Sequence, residues 1–546
     1  MPVLRPAAVP LTREAPPGWA MPLLFVGALA LFAINLDLPA HFDELYHLLA
    51  AQGWLATGEP VIAEGEYRRG LWFTLLVAGL FDLFGQSELW IARLPSVLAA
   101  ALSTLLLFRW LHATAGRAAA WTAALLFATA PFTLELARFA RFYAIQELLF
   151  LIGAVAVEGA VMGRLRPAWR LIAGGVGLLC LALAVLVQPA SLIGLVGLGL
   201  WFALAWLLPW LAGLPPARRR SLLLLGLVAG LAGLALLFAT PLGGQLLGLY
   251  RWTPPWAEAT RNQVWFYHLW LALYYPSLWP VVPVLALLAW RAAPRPALLA
   301  ICVFGTSVLL QSFGGLKDTR YLAYAWPFLF ALFGLALAGC WPALRAFAVR
   351  RLARLPLPGP RRRVVQGGLV VFLLFAFLAN AAVVRSVAML ADLRVPPQPA
   401  WPGWERLGAA LGPELETAEL VLVTNELAAL RYLGRYDLLI SHSRLMEVSE
   451  EGEPFARDYR TGRPVIAEAA TLDRLMGCFA SGLVVSEEAF WRDPATLDEK
   501  VANLLVRRAE ALPLPAGLRF RAWRWTTAEP GSTAACREVR ERLGRS

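Results

Sequence analysis

Over most of this chain apolar residues do not alternate with polar ones; they come in long unbroken runs. A helix needs about 20 consecutive apolar residues to cross a bilayer core. Runs of that order predict eleven spans, at 19–36, 90–110, 118–135, 142–162, 170–187, 190–211, 221–239, 274–291, 297–313, 321–342 and 364–387. The stretch Gly70 to Gly85 is also apolar, but it is short and carries Asp82, which predicts an interfacial or re-entrant helix. Near residue 392 the pattern changes. Pro396, Pro397 and Pro399 mark a linker, and beyond it the apolar runs shrink to strand length. Strands are predicted at Leu420–Val423, Asp437–Ile440, Val465–Ile466, Leu483–Val485 and 519–526. Helices are predicted at Glu426–Leu433, Leu472–Phe479 and over most of 487–511. Strands alternating with helices read as α/β. The expected architecture is a polytopic α-helical membrane protein of about eleven transmembrane helices over 1–391, with a long outer loop at 37–89. A soluble α/β domain over 392–546 follows it.

Composition narrows the class. Of 546 residues, 59% are hydrophobic and 16% charged, too apolar for a soluble enzyme, a disordered chain or a disulfide scaffold. The formal charge of +12 does not point to nucleic acid, because most basic residues before 390 sit in short clusters between apolar runs. Arg5 and Arg13, Arg109 and Arg117, Arg164 to Arg170, Arg218 to Arg220, Arg291 and Arg295, and a run from Arg345 to Arg363 fall on one side. The positive-inside rule makes that side cytoplasmic. No small-residue cleavage site follows the first run, so it reads as a retained span with a cytoplasmic N-terminus. An odd number of spans then puts the α/β domain outside the plasma (inner) membrane. Twelve of the fourteen acids before residue 390 fall on or near the outer face, which predicts a polar working surface there.

Cys478 and Cys536 are the only cysteines of the C-terminal domain. They are read either as a disulfide, which an oxidising compartment would favour, or as two unrelated thiols.

Five outer motifs carry candidate chemistry. The first loop opens His41-Phe42-Asp43-Glu44-Leu45-Tyr46-His47. Its adjacent carboxylates read as a general base for a hydroxyl or as acids at a helix N-terminus. Arg68 and Arg69 face outward against the orientation rule, as phosphate ligands or headgroup anchors. Arg138 and Arg141 lie three apart among aromatics, followed by Glu147 near the end of a span. His268 stands among aromatics in Trp265 to Trp270, where a hydrogen-bonded structural role competes with a ligand role. Lys317, Asp318, Arg320 and Tyr321 precede the tenth span, where cations could hold a leaving phosphate or a lipid headgroup.

The Asp43-Glu44 pair just after the first span resembles the signature of the GT-C membrane glycosyltransferases. The run from Leu83 to Ser96 (LFGQSELWIARLPS) resembles a stretch of the protein O-mannosyltransferase and lipid A aminoarabinose transferase group. Gly116-Arg117, Ala130-Pro131-Phe132, Arg138 to Tyr143, Lys317 to Tyr321 and Pro327 continue the likeness, which is close over roughly 37–150. The resemblance implies an inverting, bacterial cell-envelope transferase that takes a sugar from a polyprenyl phosphate at the outer face. The acceptor would be a lipid, glycan or protein. It implies no nucleotide cofactor and allows a divalent metal. It maps the catalytic Asp onto Asp43, a phosphate-binding position near Arg68, an outer His onto His268, and a late Lys and Tyr onto Lys317 and Tyr321. Tyr67-Arg68-Arg69-Gly70 stands where relatives have Glu-Lys-Pro-Pro, leaving Glu66 one position from the family's Glu. Phe142-Tyr143-Ala144 stands where some relatives carry an Asp, a role that is unfilled or passes to Glu147. A transporter of lipid-linked sugars and a non-catalytic assembly subunit are the rival classes.

Overall fold

A computed structural model describes residues 16–163, 166–253, 257–276, 278–353, 368, 381–393, 401–449 and 453–543. The linker prolines, most of the eleventh predicted span, the N-terminal arginines, Arg164 and the end of the basic run lie outside the described residues. The chain forms two compact units. One comprises 1–36, 93–253 and 259–395; the other comprises 37–92, 254–258 and 396–546.

The first unit is helical. Among the described residues six helices are long and apolar enough to span: Leu89–Ala115, Tyr143–Val161, Pro167–Val187, Ser191–Ala212, Pro294–Ser312 and Thr319–Cys340. Two bent pairs, Arg117–Ala128 with Pro131–Ala137 (61°) and Phe266–Tyr274 with Trp279–Ala292 (115°), raise the number to eight. Pro131 opens the second half of the first pair and Pro276 lies in the break of the other, where a ring without an N–H interrupts the ladder. The other predicted spans meet Ala20–Phe32, Pro216–Ala239 and, in part, Ala381–Leu390. The first of these has 13 residues, short of a full crossing. Apolar side chains that line the outside, such as Leu171, Leu178 and Leu186, suit a lipid surround. Close helix approach uses missing side chains: a Cβ on Gly177 would lie 3.1 Å from the Gly153 carbonyl oxygen. Small residues of this kind drive packing where lipid is as apolar as leucine.

The second unit joins the outer loop to a seven-stranded sheet. A hairpin, β1 (Val61–Ile62) and β2 (Gly65–Glu66), lies in the loop with the helices Phe42–Thr57 and Leu71–Phe84. The sheet comprises β3 (Leu420–Val423), β4 (Leu438–Ile440), β5 (Ala456–Arg457), β6 (Pro464–Ile466), β7 (Ser481–Glu487), β8 (Glu510–Leu512) and β9 (Phe520–Thr526). Its order is β5-β6-β4-β3-β7-β9-β8. β6, β4, β3 and β7 are parallel; both flanks are antiparallel. Successive residues of β3 point to opposite faces. Leu420 and Leu422 pack under the helices Ala469–Cys478, Glu499–Arg508 and Ala534–Arg542. Val421 and Val423 share a core with Leu45, Tyr46, Ala50, Ile62 and Tyr67 of the outer loop. Cys478 and Cys536 form a disulfide.

The segment 487–511 departs from the expected helix. Only Glu499–Arg508 is α-helical, preceded by a short 3-10 turn and followed by β8. Pro494 interrupts the run, and the Asp498 carboxylate starts the helix by accepting the Val501 N–H at 2.8 Å.

Candidate functional site

Five candidate residues lie in the second unit: Asp43 and Glu44 on the first helix of the outer loop, Glu66 in its hairpin, and Arg68 and Arg69 just after it. His41 caps the helix Phe42–Thr57: its Nδ1 accepts the Asp43 N–H at 3.2 Å. The Glu44 carboxylate accepts the His41 N–H at 2.8 Å. This reciprocal cap satisfies two donors that the helix cannot satisfy itself. The adjacent carboxylates therefore divide their work. Glu44 is buried and serves the cap. Asp43 is half-buried in the first turn, where a negative charge sits well at a helix N-terminus. Three residues on, Tyr46 is buried against the ring of Tyr67 with centroids 4.7 Å apart. His47, also buried, bonds the Thr74 hydroxyl through Nδ1 at 2.9 Å.

Arg68 and Glu66 answer each other. Arg68 Nε donates to Glu66 Oε2 at 2.7 Å, and a second bond makes the pair bidentate. The hydrogen bond from Arg68 lowers the Glu66 carboxyl below its ordinary value and raises the guanidinium. Arg69 is exposed on the same turn.

In the first unit three predicted motifs converge. The turn after Ala137 is pinned by Ser96, whose hydroxyl donates to the carbonyls of Phe139 (2.7 Å) and Arg141 (3.0 Å). The Arg138 guanidinium donates to the carbonyls of Leu134, Ile34 and Met389 at 3.2–3.3 Å. It thereby ties the ends of separate segments. Arg141 is buried with its guanidinium 5.2 Å from the Phe142 ring centre. Arg320 lies 5.9 Å from the Tyr143 ring and 5.7 Å from the Tyr321 ring, and pairs with Asp318 at 3.4 Å. Lys317 is buried, and its Nζ donates to the carbonyls of Arg261 (2.6 Å) and Gly314 (2.7 Å). Burial lowers the Lys317 ammonium from its usual value. Glu147 is buried in the helix Tyr143–Val161.

The aromatic motif joins this group through Tyr267, not His268. Tyr267 Oη lies 3.0 Å from the Asp318 carbonyl oxygen and donates to it. His268 is exposed, and its Nδ1 accepts from Trp279 Nε1 at 2.8 Å. An indole only donates, so Nδ1 carries no proton. Among the described residues no three His, Cys, Asp or Glu side chains gather as metal ligands. Glu66 is engaged by Arg68, and His268 by Trp279 through Nδ1.

Sequence reasoning did not single out Tyr46, Arg444, Arg460, Glu426 or Asp458. Tyr46 sits buried among Arg444, Arg460, Glu426 and Asp458. Arg444 approaches Glu447 (2.6 Å), Asp458 (3.7 Å) and Glu426 (3.8 Å). Burial pushes the Glu426 carboxyl up to about 6, against the opposing pull of Arg444.

No protein-family model and no curated protein sequence matches the chain. Solved structures do. The crystal structure of ArnT from Cupriavidus metallidurans bound to undecaprenyl phosphate is 17% identical, with 95% of this chain and 100% of that chain covered and a TM-score of 0.57. The archaeal oligosaccharyltransferase AglB from Archaeoglobus fulgidus, in complex with an inhibitory peptide and a dolichol-phosphate, is 12% identical. It covers 92% of this chain and 74% of its own, with a TM-score of 0.55. These two solved structures align over nearly the whole chain and share its fold, a bundle of membrane-length helices with a sheet-bearing unit.

Proposed function

We propose that this protein is a membrane glycosyltransferase that moves a sugar from a polyprenyl phosphate to an acceptor hydroxyl at the outer face of the membrane, with inversion. The observation that carries this reading is Asp43, a half-buried carboxylate in the first turn of a capped helix at the mouth of the outer loop, in a chain of this fold. Similar structures hold undecaprenyl phosphate or dolichol-phosphate, which supports a lipid-linked donor. The disulfide supports an outward, oxidising location for its unit.

In this reading the acceptor O–H gives its proton to Asp43. The oxygen forms a bond to the anomeric carbon from the face opposite the phosphate. The bond from that carbon to the phosphate oxygen breaks, and the polyprenyl phosphate leaves with the electron pair. Positive charge for that phosphate comes from Lys317, Arg320 or Arg141 of the first unit, or from Arg68 or Arg69 of the outer loop. Tyr321 offers a hydroxyl beside Arg320. Arg138 holds the framework through its carbonyl contacts.

The test is transfer from a synthetic polyprenyl-phosphate sugar by the full chain in detergent. Asp43→Asn should cut turnover by about 10²–10⁴-fold while donor binding persists. Full turnover in that variant contradicts the mechanism and favours a non-catalytic assembly role.

A further inference from the structure

We infer that Tyr46 is a positioning residue for Asp43, held in a guanidinium clamp supplied by the α/β sheet; this rests on the reading of Asp43 as the base. Tyr46 lies three residues after Asp43 on one helix, so the two share a face. Its ring is fixed by Tyr67 (4.7 Å, stacked) and by the edge of Phe42 (5.4 Å). Its hydroxyl is fixed separately. Arg460 Nη1 donates to Tyr46 Oη, and Arg444 Nη2 donates to the same oxygen at 3.5 Å. The Arg460 guanidinium also stands 5.1 Å from the Tyr46 ring centre.

The clamp is braced from behind. Arg460 Nε donates to Tyr459 Oη at 3.0 Å, and Tyr459 Oη donates to Glu447 Oε1 at 3.2 Å. Glu447 also takes Arg444 at 2.6 Å, while Glu426 and Asp458 face Arg444 from two other segments. Glu426 follows β3 and Arg444 lies on the helix after β4. These are the carboxyl ends of parallel strands, where open α/β sheets take their ligands. Here a side chain of the outer loop occupies that place.

Packing alone does not call for this arrangement. A phenylalanine would fill the same apolar space, and burying two arginines around a neutral ring is costly unless each is paired. What the hydroxyl adds is direction. Its bonds fix the rotation of the helix about its own axis, and so the place of a side chain one turn earlier. The chain is held on the other side of Asp43 as well, where the Ala40 N–H donates to Tyr432 Oη at 3.3 Å. Asp43 sits between two anchors that the C-terminal domain provides.

The test uses the full chain with a synthetic polyprenyl-phosphate sugar. Tyr46→Phe keeps the stacked ring and removes the hydroxyl; Arg460→Lys keeps the charge and removes the fork. Each should lower kcat about 10- to 100-fold, the scale set by a misplaced reacting group, and leave the donor KM within about twofold. The double variant should be no worse than the poorer single one, because both remove one clamp. Amide exchange over 42–47 should rise in both variants, a readout independent of transfer. Wild-type kcat in Tyr46→Phe beside an inactive Asp43→Asn overturns the positioning role alone. Wild-type kcat in Asp43→Asn overturns the base assignment and this inference with it. Unchanged exchange over 42–47 overturns the clamp.

Discussion

Lys317 and Arg460 both bring positive charge into buried surroundings, and the protein answers them differently. In the second unit Arg460 and Arg444 meet carboxylates and phenols: Glu447, Glu426, Asp458, Tyr46 and Tyr459 surround them. Their charge is compensated inside the fold, and what it does is hold two distant segments together. In the first unit the Lys317 Nζ donates, among the described residues, to the carbonyls of Arg261 and Gly314. Neutral dipoles orient an ammonium without cancelling it. Burial weakens the charged form of Lys317, and an anion arriving beside it would restore that form. The contrast sets charge answered by carboxylates and phenols against charge held by carbonyl dipoles.

The largest effect expected from breaking this contrast lies in the structural half. Cys478 and Cys536 tie the helices Ala469–Cys478 and Ala534–Arg542 of the unit that carries the clamp. Replacing both with serine should destabilise that unit by up to about 4 kcal/mol on the chain-entropy account. Amide exchange resolved by segment should show the loss in 401–543 and spare the helices of the first unit. Equal loss in both would mean that the two regions are not held independently.

Lys317→Met tests the other half. Loss of one charge-assisted contact should weaken polyprenyl-phosphate binding by about 1.5–3 kcal/mol and leave the melting temperature nearly unchanged. A variant that melts early yet binds the donor normally would place Lys317 with Arg460 as a structural cation.

The architecture was legible because its physics is local. Each apolar run sets its own length, and Leu420–Val423 reads as a strand from four consecutive residues and appears as one. The five outer motifs were legible as residue types for the same reason. Their partnerships were not. Tyr46 and Arg460 are 414 positions apart, and nothing in either neighbourhood encodes their meeting. Tyr267 rather than His268 faces Asp318 because the rotation of the helix Phe266–Tyr274 is set by tertiary packing. The Asp43-Glu44 pair was ambiguous between catalysis and capping, and the structure shows a division: Glu44 caps, while the working role falls to Asp43 as a proposal.

The smallest expected effect sharpens the structural side. Glu426 has its carboxyl pushed from 4.5 to about 6 by burial. A raised acid favours its neutral form in the fold, so its stabilising contribution is full below pH 4.5 and is lost as pH rises through about 6. That difference converts to about 2 kcal/mol. Glu426→Gln, which stays neutral, should therefore match the wild type in acid and exceed it in stability by up to that amount above about pH 7. Denaturant unfolding at both pH values checks it; a variant less stable at neutral pH would show that charged Glu426 holds Arg444 productively.

The central claim is tested most directly by the stereochemistry of a single turnover. Full-length protein is mixed with a polyprenyl-phosphate sugar of known anomeric configuration and an acceptor, and the product is read by NMR alongside the released lipid phosphate. The account predicts one polyprenyl phosphate released per sugar transferred, with the anomeric configuration inverted. Retained configuration would contradict direct attack by an acceptor oxygen deprotonated by Asp43, and no release of polyprenyl phosphate would contradict the transferase reading itself.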